Sequence, residues 1–258
     1  MRHRILRSLL LSARGLGVAV ALVLAAATAH AYTISPVGVS GGTPGGQTLY
    51  EATGLVQDDF FELDWTLDGS GLYGGLYPDL DGSAMITITS LSATTVVIDI
   101  TLSNDTAALL GDPDLQAVIT VFGMEIDGVD LGNAGNILSS AGSSFDTYDE
   151  GNLAGGFTTD VCASTDAKCN KGDPQTGIGI GESDSFQLTL QGTFDTANLT
   201  LRNFGTKWQT NYGDIVEGEG NSSFQLSGGP PTIPEPATAT LLGLGLVGLA
   251  FAGRRRPL

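Results

Sequence analysis

The sequence predicts an all-β chain, an antiparallel β-sandwich of jelly-roll type, on three observations. "FELDWTL" alternates Phe61, Leu63, Trp65 and Leu67 against Glu62, Asp64 and Thr66, the period of a half-buried strand. "AMITITSLSATTVVIDITL" holds two β-branched runs about a short turn and reads as a hairpin. Apolar residues at helical spacing are scarce through the middle of the chain, where Gly, Asp, Asn and Ser supply turn positions instead.

"LQAVITVFGMEIDG", "SFQLTLQGTF" and "NLTLRNFGTKW" continue the strand pattern, for roughly seven or more strands in all. No exact internal repeat is present, which argues against a solenoid or propeller. Two segments are rich in Gly and Pro. Residues 36–48, "PVGVSGGTPGGQT", read as a loop near the first strands, and residues 227–234, "SGGPPTIP", as a stalk leaving the body. The expected organisation is a leader at 1–31, an acidic body at 32–229 and a tail at 230–258.

The 258 residues include 37 Gly, 28 Asp plus Glu and 11 Lys plus Arg, for a formal charge of -17. Such an excess of acid argues against nucleic acid as a partner, because phosphate contacts need clustered cations. The cations also sit at the ends: Arg2, Arg4, Arg7 and Arg14 at the start, Arg254, Arg255 and Arg256 at the finish. Only Lys168, Lys171, Arg202 and Lys207 lie between them.

The first 31 residues show a charged start, an apolar run from Leu16 to Ala27 and a small-residue "AHA" site with Ala29 and Ala31. This is the pattern of a secretory signal peptide handled by the Sec translocon, with Tyr32 as the first mature residue. The competing reading, an N-terminal membrane anchor, suffers from the shortness of the apolar run. Cleavage would remove His3 and His30, the only histidines, and with them any Ser-His-Asp triad, Cys-His pair or His-bearing zinc site.

From Ala237 to Gly253 no residue carries a formal charge, and a helix of these 17 residues would be about 25 Å long. That suits a short transmembrane span, with Arg254 to Arg256 on the cytoplasmic side and the body outside. Pro234 and Pro236 precede the helix, and Gly243, Gly245 and Gly248 thin one side of it. Pro234, Glu235 and Pro236, the segment "LLGLGLVGLA" and the terminal arginines together resemble the PEP-CTERM sorting signal of exosortase substrates. The resemblance implies an inner-membrane intermediate in a Gram-negative bacterium, processing by a cysteine-dependent exosortase near the Pro-Glu-Pro, and arrival at the cell surface or extracellular matrix. It further implies association with exopolysaccharide or biofilm. The "PL" that follows the arginines departs from the pattern.

Cys162 and Cys169 are the only cysteines, and in an exported chain a disulfide is their expected state. The stretch from this pair through "GIGIGESDSFQLTL" to "NYGDIVEGEG" resembles the cistern group of PEP-CTERM proteins, with Trp208, Gln209, Glu217 and Gly218 as the matching positions. That resemblance implies no known catalytic activity.

Candidates for chemistry are few. Acid pairs such as Asp58 and Asp59, Asp79 and Asp81, Asp112 and Asp114, and Asp149 and Glu150 are expected by number alone in so acidic a chain, and glycoside hydrolysis needs carboxyls that face each other across a sugar. Calcium suits oxygen-rich turns, and Asp79, Asp81 and Ser83 have the spacing that begins an EF-hand loop, although Ser90 stands where the bidentate acid belongs. Solvated turn residues are the plainer reading, and no other cofactor is indicated. Tyr73, Tyr77, Trp208 and Tyr212 are candidates for stacking on sugar rings, and each also suits core or loop packing. The leading expectation is a non-catalytic matrix protein; the alternative is a carbohydrate-binding or calcium-stabilised adhesive module held at the membrane by its tail.

Overall fold

A computed structural model describes residues 31–40, 46–69, 79–107, 116–139, 143–153, 157–171, 175–211 and 222–231. Residues 1–30 of the expected leader, the apolar tail with its Pro-Glu-Pro and arginines, Tyr73, Tyr77, Asp112, Asp114, Tyr212, Glu217 and Gly218 lie outside these residues.

The described residues are all-β, with no α-helix. Strands β1 (Thr33–Val39), β2 (Thr48–Leu55), β6 (Ala117–Ile126), β8 (Thr147–Glu150), β9 (Val161–Ser164), β11 (Leu199–Thr210) and β12 (Ser222–Ser227) form one antiparallel sheet. Its order is β1-β2-β11-β6-β9-β8, with β12 also on β11. The second sheet runs β3-β4-β5-β10-β7, from β3 (Phe60–Leu67), β4 (Leu80–Leu91), β5 (Thr95–Asn104), β10 (Ser183–Gln191) and β7 (Ile137–Ser139).

Alternation works as expected in the second sheet. Phe61, Leu63 and Trp65 are buried while Glu62 and Thr66 are exposed, and the β4–β5 hairpin buries Ile86, Ile88, Val96, Ile98, Ile100 and Leu102. Its turn is tied by Ser92, whose Oγ accepts the Thr94 and Thr95 N–H groups. Both sheets contribute to one core. Phe61 of β3 meets Phe204 of β11 at 5.6 Å between ring centroids, and Trp65 of β3 meets Phe122 of β6 edge to face at 6.1 Å. Burying each such side chain contributes about 1.5–3 kcal/mol.

Three elements differ from the sequence-based expectation. Residues 36–39 are not loop: they finish β1, an edge strand whose pairing with β2 shifts register between Pro36 and Gly38. An edge position accommodates Pro36 because that residue has no N–H to give a second neighbour. β6 does not alternate, since nearly every residue in it is buried. Its second face is covered by a smaller cluster of Val121, Leu153, Phe157, Cys162 and Cys169 on the far side of the first sheet. Finally, residues 227–229 of the expected stalk are not free: Ser227 ends β12, and Gly228 and Gly229 are hydrogen-bonded into the body.

β11 organises the first sheet. One edge pairs with β6 along its length, while the other is shared: Leu199 to Arg202 with β2, and Gly205 to Thr210 with β12. Asn203, at φ 52°, stands at the changeover, where the β6 register also shifts. Asn tolerates this left-handed conformation better than most residues.

Candidate functional site

Two places concentrate chemistry. The first is the seam where β12 leaves the body. Gly229 exchanges both backbone hydrogen bonds with Asp64 of β3, donating to its carbonyl at 3.0 Å and accepting its N–H at 2.8 Å. Gly228 donates to the Phe204 carbonyl at 2.7 Å, and the same carbonyl accepts the Trp65 indole N–H at 3.4 Å. A Cβ on Gly228 would fall 2.7 Å from the Trp65 ring, and one on Gly229 would fall 2.6 Å from the Tyr50 ring. Only glycine admits so close an approach of backbone to aromatic ring at these two positions.

Two hollows flank this exit and share Asp64. One, about 400 Å³, is lined by Tyr50, Asp64, Thr66, Ser227, Gly229 and Pro230 among others. The other, about 460 Å³, includes Glu62, Asp64, Asp81, Ser83, Asp105 and Pro231. Strand register explains the convergence: Asp64 lies opposite Ser83, Thr66 opposite Asp81, and Gly82 opposite Asn104, so alternate residues of β3 and β4 bring these oxygens to one outer face. The Ser83 hydroxyl donates to Asp105 at 2.7 Å. Burial raises the pKa of Asp64, and the charges of Asp81, Glu62 and Asp105 raise it further. Asp81 is raised by burial and by Asp105.

Of the residues in the calcium expectation, Asp81 and Ser83 belong to extended strand β4 and not to a loop, and Asp79 accepts the Gly69 N–H at 2.8 Å. Among the described residues no group of three or more His, Cys, Asp or Glu side chains is placed to hold a metal ion.

The second place is the outer face of the first sheet, strapped by the Cys162–Cys169 disulfide, which is formed as expected. Gly123 and Gly205 lie opposite each other on β6 and β11. Together they open a hollow that Leu153 and Phe157 fill: a Cβ would fall 2.5 Å from Leu153 Cδ1 at position 123, and 2.8 Å from Phe157 Cε1 at position 205. Beside it Lys207, only 5% exposed, donates to the carbonyls of Asn170 at 3.1 Å and Lys171 at 2.5 Å, just past the disulfide loop. Burial lowers its pKa, partly offset by Asp166. Asp149 accepts the Cys169 N–H, while Glu150 accepts from Gly132, Asn136 and Tyr148, so that acid pair is spent on holding loops.

Trp208 is not a sugar platform. It is fully buried, its indole N–H donates to Thr206 Oγ1 at 2.9 Å, and neither ring face is offered to solvent. Gln209 follows it on β11, and Ala31 lies exposed just ahead of β1. Sequence reasoning missed Tyr50, Asp105 and Lys207; the alternation of "FELDWTL" did place Glu62 and Asp64 outward, but nothing local indicated what faced them.

Comparison with protein families places the PEP-CTERM protein-sorting motif at residues 232–256. The chain carries a PEP-CTERM sorting signal. Such a signal implies an exported protein, sorted to the cell envelope, with an exosortase as its processing partner. Neither the curated proteins nor the solved structures gave a match. Among the described residues no helix is long and apolar enough to cross a membrane, and the PEP-CTERM segment itself lies outside them. The PEP-CTERM match begins at residue 232, directly after Pro231 at the seam.

Proposed function

We propose that this PEP-CTERM protein is a non-catalytic envelope or matrix component. Its leader is removed after Ala31, its apolar tail (237–253) crosses the inner membrane as an intermediate, and an exosortase releases or transfers the acidic body to the cell surface or extracellular matrix, in association with exopolysaccharide. The sorting motif at 232–256 is the observation that carries the reading. The body is read as a β-sandwich. It is jelly-roll-like in that the chain passes between sheets at β2 to β3, β5 to β6, β6 to β7, β7 to β8, β9 to β10 and β10 to β11, although β3-β4-β5 is a plain meander. No cofactor enters this reading. A disulfide-strapped body without the mature chain's histidines suits a passive residence outside the cell.

The test is fractionation of the host expressing the full chain or a Pro234→Ala/Glu235→Ala/Pro236→Ala variant. The native protein should appear in surface and matrix fractions and co-sediment with isolated exopolysaccharide, whereas the variant should stay with the inner membrane. Equal distribution of the two proteins would contradict the sorting role, and a matrix protein that does not co-sediment would contradict the polysaccharide association.

A further inference from the structure

The sorting motif starts directly after Pro231, the last described residue of the body. Gly229 is held by its paired hydrogen bonds to Asp64, and the first residue of the motif, Thr232, lies three positions on. Fully extended, three residues reach at most about 11 Å. Pro230 and Pro231, which occupy that interval, have fixed φ angles and add little slack. A stable protein partner covers about 800 Å² on each side, a patch roughly 16 Å in radius. Even at Pro234, the first residue of the Pro-Glu-Pro, the fully extended chain from Gly229 reaches at most about 18 Å, little more than that radius, so an enzyme seated on the Pro-Glu-Pro lies beside the body.

We propose that the exosortase contacts the folded body as well as the motif, at the seam formed by Tyr50, Asp64, Thr66, Pro230 and Pro231. This rests on the sorting reading above. The surface covered includes the hollows on either side of the exit, one of which is bordered by Glu62, Asp81 and Asp105. The enzyme face that meets it is basic or rich in hydrogen-bond donors, since an acidic one would add to a repulsion already present among those carboxylates. Substrate choice then extends past the tail. The body contributes to recognition, and the short tether holds it in place to do so.

The experiment places a photo-crosslinking amino acid in the full-length protein, expressed in its host with an epitope-tagged exosortase. One variant carries it at Thr66, exposed beside the seam; another carries it at Ala93, in the exposed β4–β5 turn. The turn lies beyond Leu91, about 26 Å along β4 from Ser83, the residue opposite Asp64. Crosslinking to the enzyme is expected from Thr66 and not from Ala93. It should be lost when a flexible Gly/Ser spacer of about 20 residues, reaching roughly 25 Å, is inserted between Pro231 and Thr232, and weakened by Glu62→Lys. Absence of a Thr66 crosslink in cells that process the tail would overturn the body contact alone, as would equal yields from Thr66 and Ala93. An unchanged mass of the tail in cells with and without the enzyme would overturn the sorting reading, and the contact with it.

Discussion

Trp208 and Gly82 meet across the two sheets: a Cβ on Gly82 would fall 2.9 Å from Cζ2 of the indole and 2.9 Å from the Ser103 carbonyl oxygen. The contact explains both a glycine within a long strand and a tryptophan that never reaches solvent. Gly82→Ala is expected to destabilise the body by about 1–3 kcal/mol through overpacking. Trp208→Ala should cost about 3–5 kcal/mol by leaving a cavity. Denaturant titration measures both, and a Trp208→Ala protein of native stability with a selective loss of glycan binding would restore the sugar-platform reading.

The disulfide closes a short loop, with a sequence separation of 7. In the chain-entropy model such a bridge contributes about 2 kcal/mol. The double substitution Cys162→Ala/Cys169→Ala should lower stability by that order. Hydrogen exchange should quicken first around residues 166–171, because the carbonyls that receive Lys207 lie beside the loop. Uniform quickening across both sheets would show that the strap is not a local element.

Lys207→Ala removes two hydrogen bonds to carbonyls and the packing of a long aliphatic stem, so a loss of about 2 kcal/mol is expected by thermal unfolding. A variant as stable as the native protein would show that desolvating the amine already cancels what it gains.

Asp64 and Asp81 have pKa values raised in the folded state by burial and by neighbouring acids. A raised carboxyl favours its protonated form on folding, so the stabilising contribution is complete below the unfolded pKa and is lost as pH rises through the folded value. These two groups therefore weigh against the body at neutral pH. Asp64→Asn is expected to raise stability at pH 7 by a few tenths of a kcal/mol, discounted for solvent exposure, with the gain shrinking as pH approaches 4 and as salt is added. Melting curves from pH 4 to pH 7 measure it; a destabilised variant at pH 7 would mean that the carboxylate is held by an attractive partner.

Local pattern carried part of this fold. β3, β4 and β5 were legible because each buries one face only, and the cysteine pair was legible from export. β6 was legible as a strand but its two-sided burial was not, since Leu153 and Phe157 arrive from a distant loop to cover its second face through the Gly123–Gly205 hollow. Trp208 looked available beside polar Thr206 and Gln209, yet the residue receiving it, Gly82, lies on the other sheet. The seam was hidden for the same reason: Asp64 and Gly229 are far apart in sequence, and a Gly-Pro segment that reads as stalk becomes structure only when β3 is already in place to receive it.

The most direct measurement is intact mass with N-terminal sequencing of the protein from host cell fractions, with and without the exosortase. A product beginning at Tyr32 and ending near Pro234, at the surface or in the medium only when the enzyme is present, is the expected result. A product that keeps Arg254 to Arg256 in the inner membrane of both strains would contradict it, and would make the tail an ordinary anchor.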